Sequence, residues 1–235
     1  MCTRFVFRGG GDVVTGFNFD IDLAVWEHTV LADEERFCIG IKMPDGLYHT
    51  YHGVNASGGA GTLLYVHPNE KASEFGAPGS VAISELTERY VRGECTFSEV
   101  LETVRQKRIV YAPDASMQSM LSDRNGRALM IEPGVGSRLE EGRYALVTNY
   151  SLLDPASTRP YIVPGDDRYE RAKEILELAD ERFGVEDALR LLREVRQEGL
   201  WATRVSFVYS AKENGVYYAL NNDFSHIREN RFKTR

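Results

Sequence analysis

Cysteine is scarce in this 235-residue sequence: Cys2, Cys38 and Cys95, an odd number with no Cys-x-x-Cys pair. That argues against a disulfide framework and a thiolate metal site, and it fits a reducing, cytoplasmic compartment. Histidines are few and scattered (His28, His49, His52, His67, His226). His49 and His52 are three apart in a strand-like run, so they face opposite sides and share no metal easily. No metal and no organic cofactor are expected. No apolar run approaches the roughly 18 residues that cross a bilayer, so no membrane span is expected. The first eight residues have no long apolar stretch and no small-residue cleavage site, and do not read as a secretory leader. Positive charge is short, with 28 Lys+Arg against 35 Asp+Glu, which argues against nucleic acid as a partner. Internal repeats and low-complexity segments are missing. With 43% hydrophobic and 27% charged residues, the chain reads as one ordinary globular domain over residues 1–235.

What is present is a pattern of hairpins and two helix blocks. Thr3–Arg8 alternates around Phe5 and Phe7, Gly9-Gly10-Gly11-Asp12 turns, and Val13–Asp20 returns. Arg36–Met43 and Leu47–Val54 flank Pro44-Asp45-Gly46, and a short strand follows at Gly61–Val66. Helical spacing then appears at Ser84–Arg92, with Ser84 as the expected cap, and at Thr96–Lys107. There Thr96 and Glu99 form a capping box, and Phe97, Val100, Leu101 and Val104 share a face. Strands resume at Ser116–Ser122, Arg127–Glu132 and Tyr144–Thr148. Helices are expected at Asp167–Phe183 and Val185–Val195, and closing strands at Arg204–Tyr209 and Val216–Leu220. Hairpins imply antiparallel sheets, and helices in two blocks imply outer layers.

Cys2 carries the chemical clue. Removal of Met1 would make it the first residue, holding a thiol and an α-amine whose ordinary pKa values are about 8.5 and 7.7–8.0. The amine can then act as general base for its own thiol, a compact nucleophile–base pair.

Other segments fall into order around it. Cys2-Thr3 opens a strand whose partner ends in Gly16-Phe17-Asn18-Phe19-Asp20. Downstream come Gly53-Val54-Asn55-Ala56-Ser57-Gly58-Gly59, the hairpin Ser122-Asp123-Arg124-Asn125-Gly126, then Val147-Thr148-Asn149 and Pro164-Gly165-Asp166-Asp167-Arg168-Tyr169. Together, from Cys2 to about Asn222, these resemble the choloylglycine hydrolase and penicillin V acylase family of linear amide C–N hydrolases. The resemblance implies an α+β fold, the four-layer αββα sandwich of N-terminal nucleophile hydrolases with mostly antiparallel sheets. It implies hydrolysis of a linear, non-peptide amide in a small N-acyl compound through an acyl-enzyme. By the same resemblance Cys2 is the nucleophile, and Asp20 contacts its amine and thiol. The Tyr65 backbone N–H and the Asn149 side chain form the oxyanion hole. Arg168 is a cation that would favour the thiolate.

The resemblance has three departures. Phe17 stands where the family usually has Arg, so Arg4 or Arg204 would have to supply that charge. The Asn149-to-Arg168 connection is compact, so the family's tetramer is not implied and a homodimer is the assembly left open. A retained Met1 would acylate the amine and remove the base. Phe17, Trp26 and Arg204 are candidate substrate-pocket residues. Phe19, Tyr51, Tyr65 and Phe75 can also line an acyl pocket, though strand aromatics more often fill cores. Asn18 reads as a structural hydrogen bonder. Phe17 and Tyr65 favour a small or aliphatic acyl amide over a conjugated bile salt. Two alternatives stay open: an acyltransferase, and a non-catalytic ligand-binding relative.

Overall fold

The computed structural model describes residues 2–72, 76–112 and 115–233. The strands and helices follow in chain order. They are β1 (Cys2–Arg8), β2 (Val13–Asp20), β3 (His28–Ala32), β4 (Arg36–Lys42), β5 (Tyr48–Asn55), β6 (Ala60–Tyr65), β7 (Ser80–Ala82), α1 (Ile83–Val91), α2 (Phe97–Gln106) and β8 (Arg108–Val110). Then come β9 (Met117–Ser122), β10 (Ala128–Glu132), β11 (Gly136–Glu140), β12 (Tyr144–Val147), α3 (Pro155–Thr158), α4 (Arg168–Leu178), α5 (Val185–Glu194), β13 (Thr203–Ser210), β14 (Gly215–Leu220) and β15 (Arg228–Arg231). One antiparallel sheet has the order β12-β1-β2-β13-β14-β15, a second β11-β10-β9-β6-β5-β4-β3. Among the described residues, no helix is long and apolar enough to cross a membrane.

Strand alternation builds four layers. In β1, Cys2 and Val6 face the second sheet, while Phe5 and Phe7 face α4 and α5. In β2, Phe17 and Phe19 point inward and Val14 outward; in β13, Val205 and Phe207 point inward and Val208 outward. The second sheet packs Leu63, Leu121 and Leu129 against α1 and α2, and Phe37, Val54 and Leu64 against the first sheet. The result is an αββα sandwich, as the resemblance implies. Each fully buried phenylalanine contributes about 2 kcal/mol. Gly16 opposes Phe5 across β1 and β2. A Cβ there would lie 2.3 Å from the Phe5 ring, so glycine is what lets that ring lie across the neighbouring strand.

Thr96 caps α2 with the expected capping box. The expected cap of α1 is corrected: the helix starts at Ile83 after Ala82, which makes no side-chain cap, and Ser84 lies inside the first turn. The helix expected to reach Phe183 ends at Leu178. There the Asp180 carboxylate takes the Arg182 N–H in a local turn, and Phe183 folds back onto Phe5 and Phe7. His49 and His52 face opposite sides as expected. His49 pairs with Asp45 and Glu88, while His52 lies between the sheets. Asn18 is structural: its amide donates to Leu192 O and its oxygen accepts from Ser206.

Candidate active site

Four strand ends meet at one edge of the first sheet. Cys2 opens β1 and pairs with Phe19 of β2. The β1–β12 register pairs Arg4 with Val147; two residues on, Asn149 stands opposite Cys2. Asp20 closes β2 and pairs with Thr203, the first residue of β13, and a bulge at Arg204 follows. Arg168 is the first residue of α4. The sequence separations are long, so only the finished sheet makes this cluster.

The contacts converge on Cys2. Its N–H donates to Asn149 Oδ1 at 2.6 Å. Arg168 Nη1 donates to Cys2 O at 3.1 Å and to Asp20 Oδ2 at 3.4 Å, and its Nη2 reaches Asn149 Oδ1 at 3.4 Å. Asn149 Nδ2 donates across to Tyr65 O at 3.0 Å in the second sheet. The Thr203 hydroxyl donates to Asp20 Oδ1 at 2.6 Å. Cys2, Asp20, Asn149 and Arg168 are all buried.

Tyr65 offers its backbone. Val66 N–H bonds Ser116 O in the β9 direction, whereas Leu63 N–H bonds a side chain on the β5 side. Successive N–H groups of a strand point to opposite sides, and one residue's N–H and C=O point the same way. The Tyr65 N–H therefore lies on the side where its own carbonyl meets Asn149. The Tyr65 side chain is half exposed.

Several partners are not singled out by the sequence. Asp166 grips Arg168 with two bonds of 2.8 Å, to Nε and Nη2. Tyr150 donates to Asp166 and accepts the Val163 N–H. Gln118 Nε2 holds Thr148 O at 2.8 Å, fixing the turn that carries Asn149. Asp166 lies inside a quoted motif and could have been found there. Thr203 and Gln118 need the register, which a single sequence does not display. Among the described residues, no three His, Cys, Asp or Glu side chains are placed to hold a metal.

Charge is distributed unevenly. The fork of Arg168 holds Asp166 below the usual carboxylate range despite its burial. Burial alone would lower the guanidinium, but Asp166 and Asp20 hold it up. Asp20, which shares that cation through a longer contact, is pushed up to about 7 by burial, against the pull of Arg168 and Thr203. Burial likewise raises the Cys2 thiol; Arg168 acts in the expected sense but is outweighed. The pull of Arg168 is in the sense expected of a cation that favours the thiolate, and burial opposes it.

Asp20 makes stability depend on pH. Its folded value lies above its unfolded value of about 3.9, so the folded state holds the proton more tightly. The stability it contributes is fully present below the unfolded value and is lost as pH rises to about 7. Each pH unit of that window is worth about 1.4 kcal/mol, a ceiling of ~4 kcal/mol. We expect the melting temperature to fall between pH 4.5 and 7.5, and to fall less in Asp20→Asn. Equal slopes in the two proteins would contradict this.

The candidate pocket residues separate. Phe17 has no exposed surface and stacks on His52 with centroids 5.2 Å apart; it fills the space between the sheets and lines no open pocket. Trp26 is half-buried against the inter-sheet core. Arg204 sits on the β13 bulge, 3.4 Å from Ile21 O, and its charge is felt by His28. Arg4, the other candidate cation, is fully buried and donates to Ser122 Oγ at 2.8 Å in the second sheet. It bridges the sheets, which leaves Arg204 as the cation nearer the Asp20 end. Met1 and Phe75 lie outside the described residues.

No family model and no curated protein matches the sequence. Solved structures do match. A mutant of the conjugated bile acid hydrolase from Clostridium perfringens superposes with a TM-score of 0.66 at 13% identity, covering 99% of this chain and 97% of that one. Penicillin V acylase from Agrobacterium tumefaciens gives 0.66 at 16% identity, over 93% and 83%. The Caenorhabditis elegans N-acylethanolamine-hydrolyzing acid amidase ortholog gives 0.61 at 14%, over 90% and 93%. Its layers, its sheet order and these likenesses together give the chain the αββα fold that these solved hydrolase structures share.

Proposed function

We propose that the protein hydrolyses a linear, non-peptide amide in a small N-acyl compound, using Cys2 as nucleophile once Met1 has been removed. The observation that carries this is the convergence on one residue. The nitrogen and carbonyl of Cys2 are each gripped, by Asn149 and Arg168, beside a buried carboxyl and a backbone N–H on another sheet.

In this reading the Cys2 α-amine takes the thiol proton as sulfur attacks the acyl carbonyl. Asn149 Oδ1 orients the amine, and Asp20, held by Thr203 and Arg168, supports its protonated form. The carbonyl oxygen becomes an oxyanion held by the Tyr65 N–H and the second Nδ2 hydrogen of Asn149. Collapse breaks the C–N bond, and the proton moves from the ammonium to the leaving amine. Water then adds to the thioester through the same hole, releasing the carboxylic acid and restoring the thiol. The cation that the family usually carries at position 17 is missing here, which favours a small or aliphatic acyl group over a conjugated bile salt.

The test starts with the intact mass of the purified protein before and after a thiol alkylator. A mass short by one methionine, with alkylation mapped to Cys2, is expected. A panel of penicillin V, glycocholate, an N-acylethanolamine and short N-acyl amides follows, with and without added amine to detect acyl transfer. Asn149→Ala is expected to lower kcat by about 10²–10³-fold. A retained Met1 with an inert Cys2, or full activity in Asn149→Ala, would overturn the proposal.

A further inference from the structure

The second sheet contains an interruption that ends at the oxyanion donor. The β5–β6 ladder pairs Gly53 with Gly61 and Val54 with Ala60, and goes no further. Beyond it, His52 of β5 stays with Ile39 of β4, while β6 continues along β9 as far as Tyr65. The next rung would have used the N–H of Leu63, a buried residue. A side chain takes it instead: His52 Nδ1 accepts the Leu63 N–H at 3.2 Å. Two residues on, the Tyr65 N–H points to the same side.

The histidine is built to stay in that state. Its ring stacks on Phe17, with planes 20° apart, and packs on Phe19 with centroids 5.0 Å apart. Burial pushes its pKa down to about 3. The ring is therefore neutral, and because Nδ1 accepts, the proton sits on Nε2. Phe17, where the resemblance to the family departs, holds the flat face of this ring.

We infer that His52 is a positioning residue for the oxyanion hole: its imidazole replaces a strand rung and sets the course of β6, so that the Tyr65 N–H stays on the Asn149–Cys2 side. The role rests on the reading of Cys2 as an acyl-transfer nucleophile. The ring touches no reacting atom; it acts through Leu63 and the strand. A one-ångström misplacement of such a donor is enough to cost on the order of 100-fold.

Two reactions of Cys2 separate this role from general support of the fold. Acylation by p-nitrophenyl butanoate passes through an oxyanion. Alkylation by iodoacetamide does not. His52→Phe keeps an aromatic ring on Phe17 but has no acceptor. It is expected to slow the acylation burst about 10- to 100-fold, with the half-saturation concentration unchanged and alkylation within about twofold of wild type. His52→Asn places an amide oxygen near the former Nδ1 and is expected to recover the burst to within about threefold of wild type. Should His52→Phe fail to fold, His52→Leu makes the same comparison. Equal slowing of both reactions, an unchanged burst in the acceptor-less variant, or no recovery in His52→Asn would overturn the role. A wild-type protein whose Cys2 alkylates but gives no burst would overturn the proposed function, and this role with it.

Discussion

Replacing Cys2 by alanine is expected to abolish amide turnover, by about 10⁴-fold or more, while barely changing the melting temperature. In the proposed mechanism the sulfur forms the acyl bond, and alanine offers no atom in its place. The hydroxyl of Thr203 is engaged with Asp20 Oδ1 at 2.6 Å. The structural cost is small because alanine fits the same half of the inter-sheet core, which includes Val6, Phe19 and Val147. Losing one buried heavy atom costs about 1 kcal/mol. The measurement pairs turnover with calorimetric binding of the same amide. Retained binding with lost turnover is the expected result. Turnover within tenfold of wild type would remove Cys2 from the mechanism. Equal binding by both proteins with turnover in neither would mark a ligand-binding relative that keeps the fold.

The largest expected loss of stability follows Arg168→Leu. Arg168 is 4% exposed, and its guanidinium is the shared counter-charge of Asp20 and Asp166. Its removal leaves two carboxylates buried together, and breaking a buried pair in this way costs about 3–5 kcal/mol. The loss should shrink on acidification, because protonation relieves the stranded carboxylates. At pH 7.5 we expect the full deficit in chemical denaturation, and at pH 4.5 less than half of it. Arg168→Lys should recover only part, since an ammonium cannot match the two parallel bonds to Asp166. A deficit below about 1 kcal/mol, or one independent of pH, would mean that the pair is screened by solvent after all.

The parts of the fold that sequence alone made legible are those with strong local signals. The β1–β2 hairpin alternates around Phe5 and Phe7 and turns on glycines, and the Thr96–Glu99 cap states where α2 begins. Strands β11 and β15 escaped notice because they are short, largely exposed and partly charged, Arg228–Arg231 reading Arg-Glu-Asn-Arg, and β3 because it is short and only half-buried. Such residues protect a sheet edge from further pairing, and the same property erases their periodicity. Cys2, Asp20, Tyr65, Asn149 and Arg168 were legible through their order in short motifs, and the structure brings all five together. Gln118, Thr203 and His52 were not, since each acts across strands whose pairing is written in no local pattern. Phe17 was legible as a departure but not as the partner of His52, 35 positions away in the other sheet.

The convergence of distant strand ends also bears on when the site can exist. Cys2 meets Asn149 and Arg168 across separations of 147 and 166 residues, and Asp20 meets Thr203 across 183. Loop-closure entropy must be overcome before such contacts form, and chains dominated by them fold in milliseconds to seconds. During synthesis Cys2 emerges first, yet the last member of its cluster arrives only when β13 has left the ribosome. A nascent or C-terminally shortened chain therefore carries an ordinary, solvent-exposed thiol. The buried and oriented one belongs only to the finished sheet.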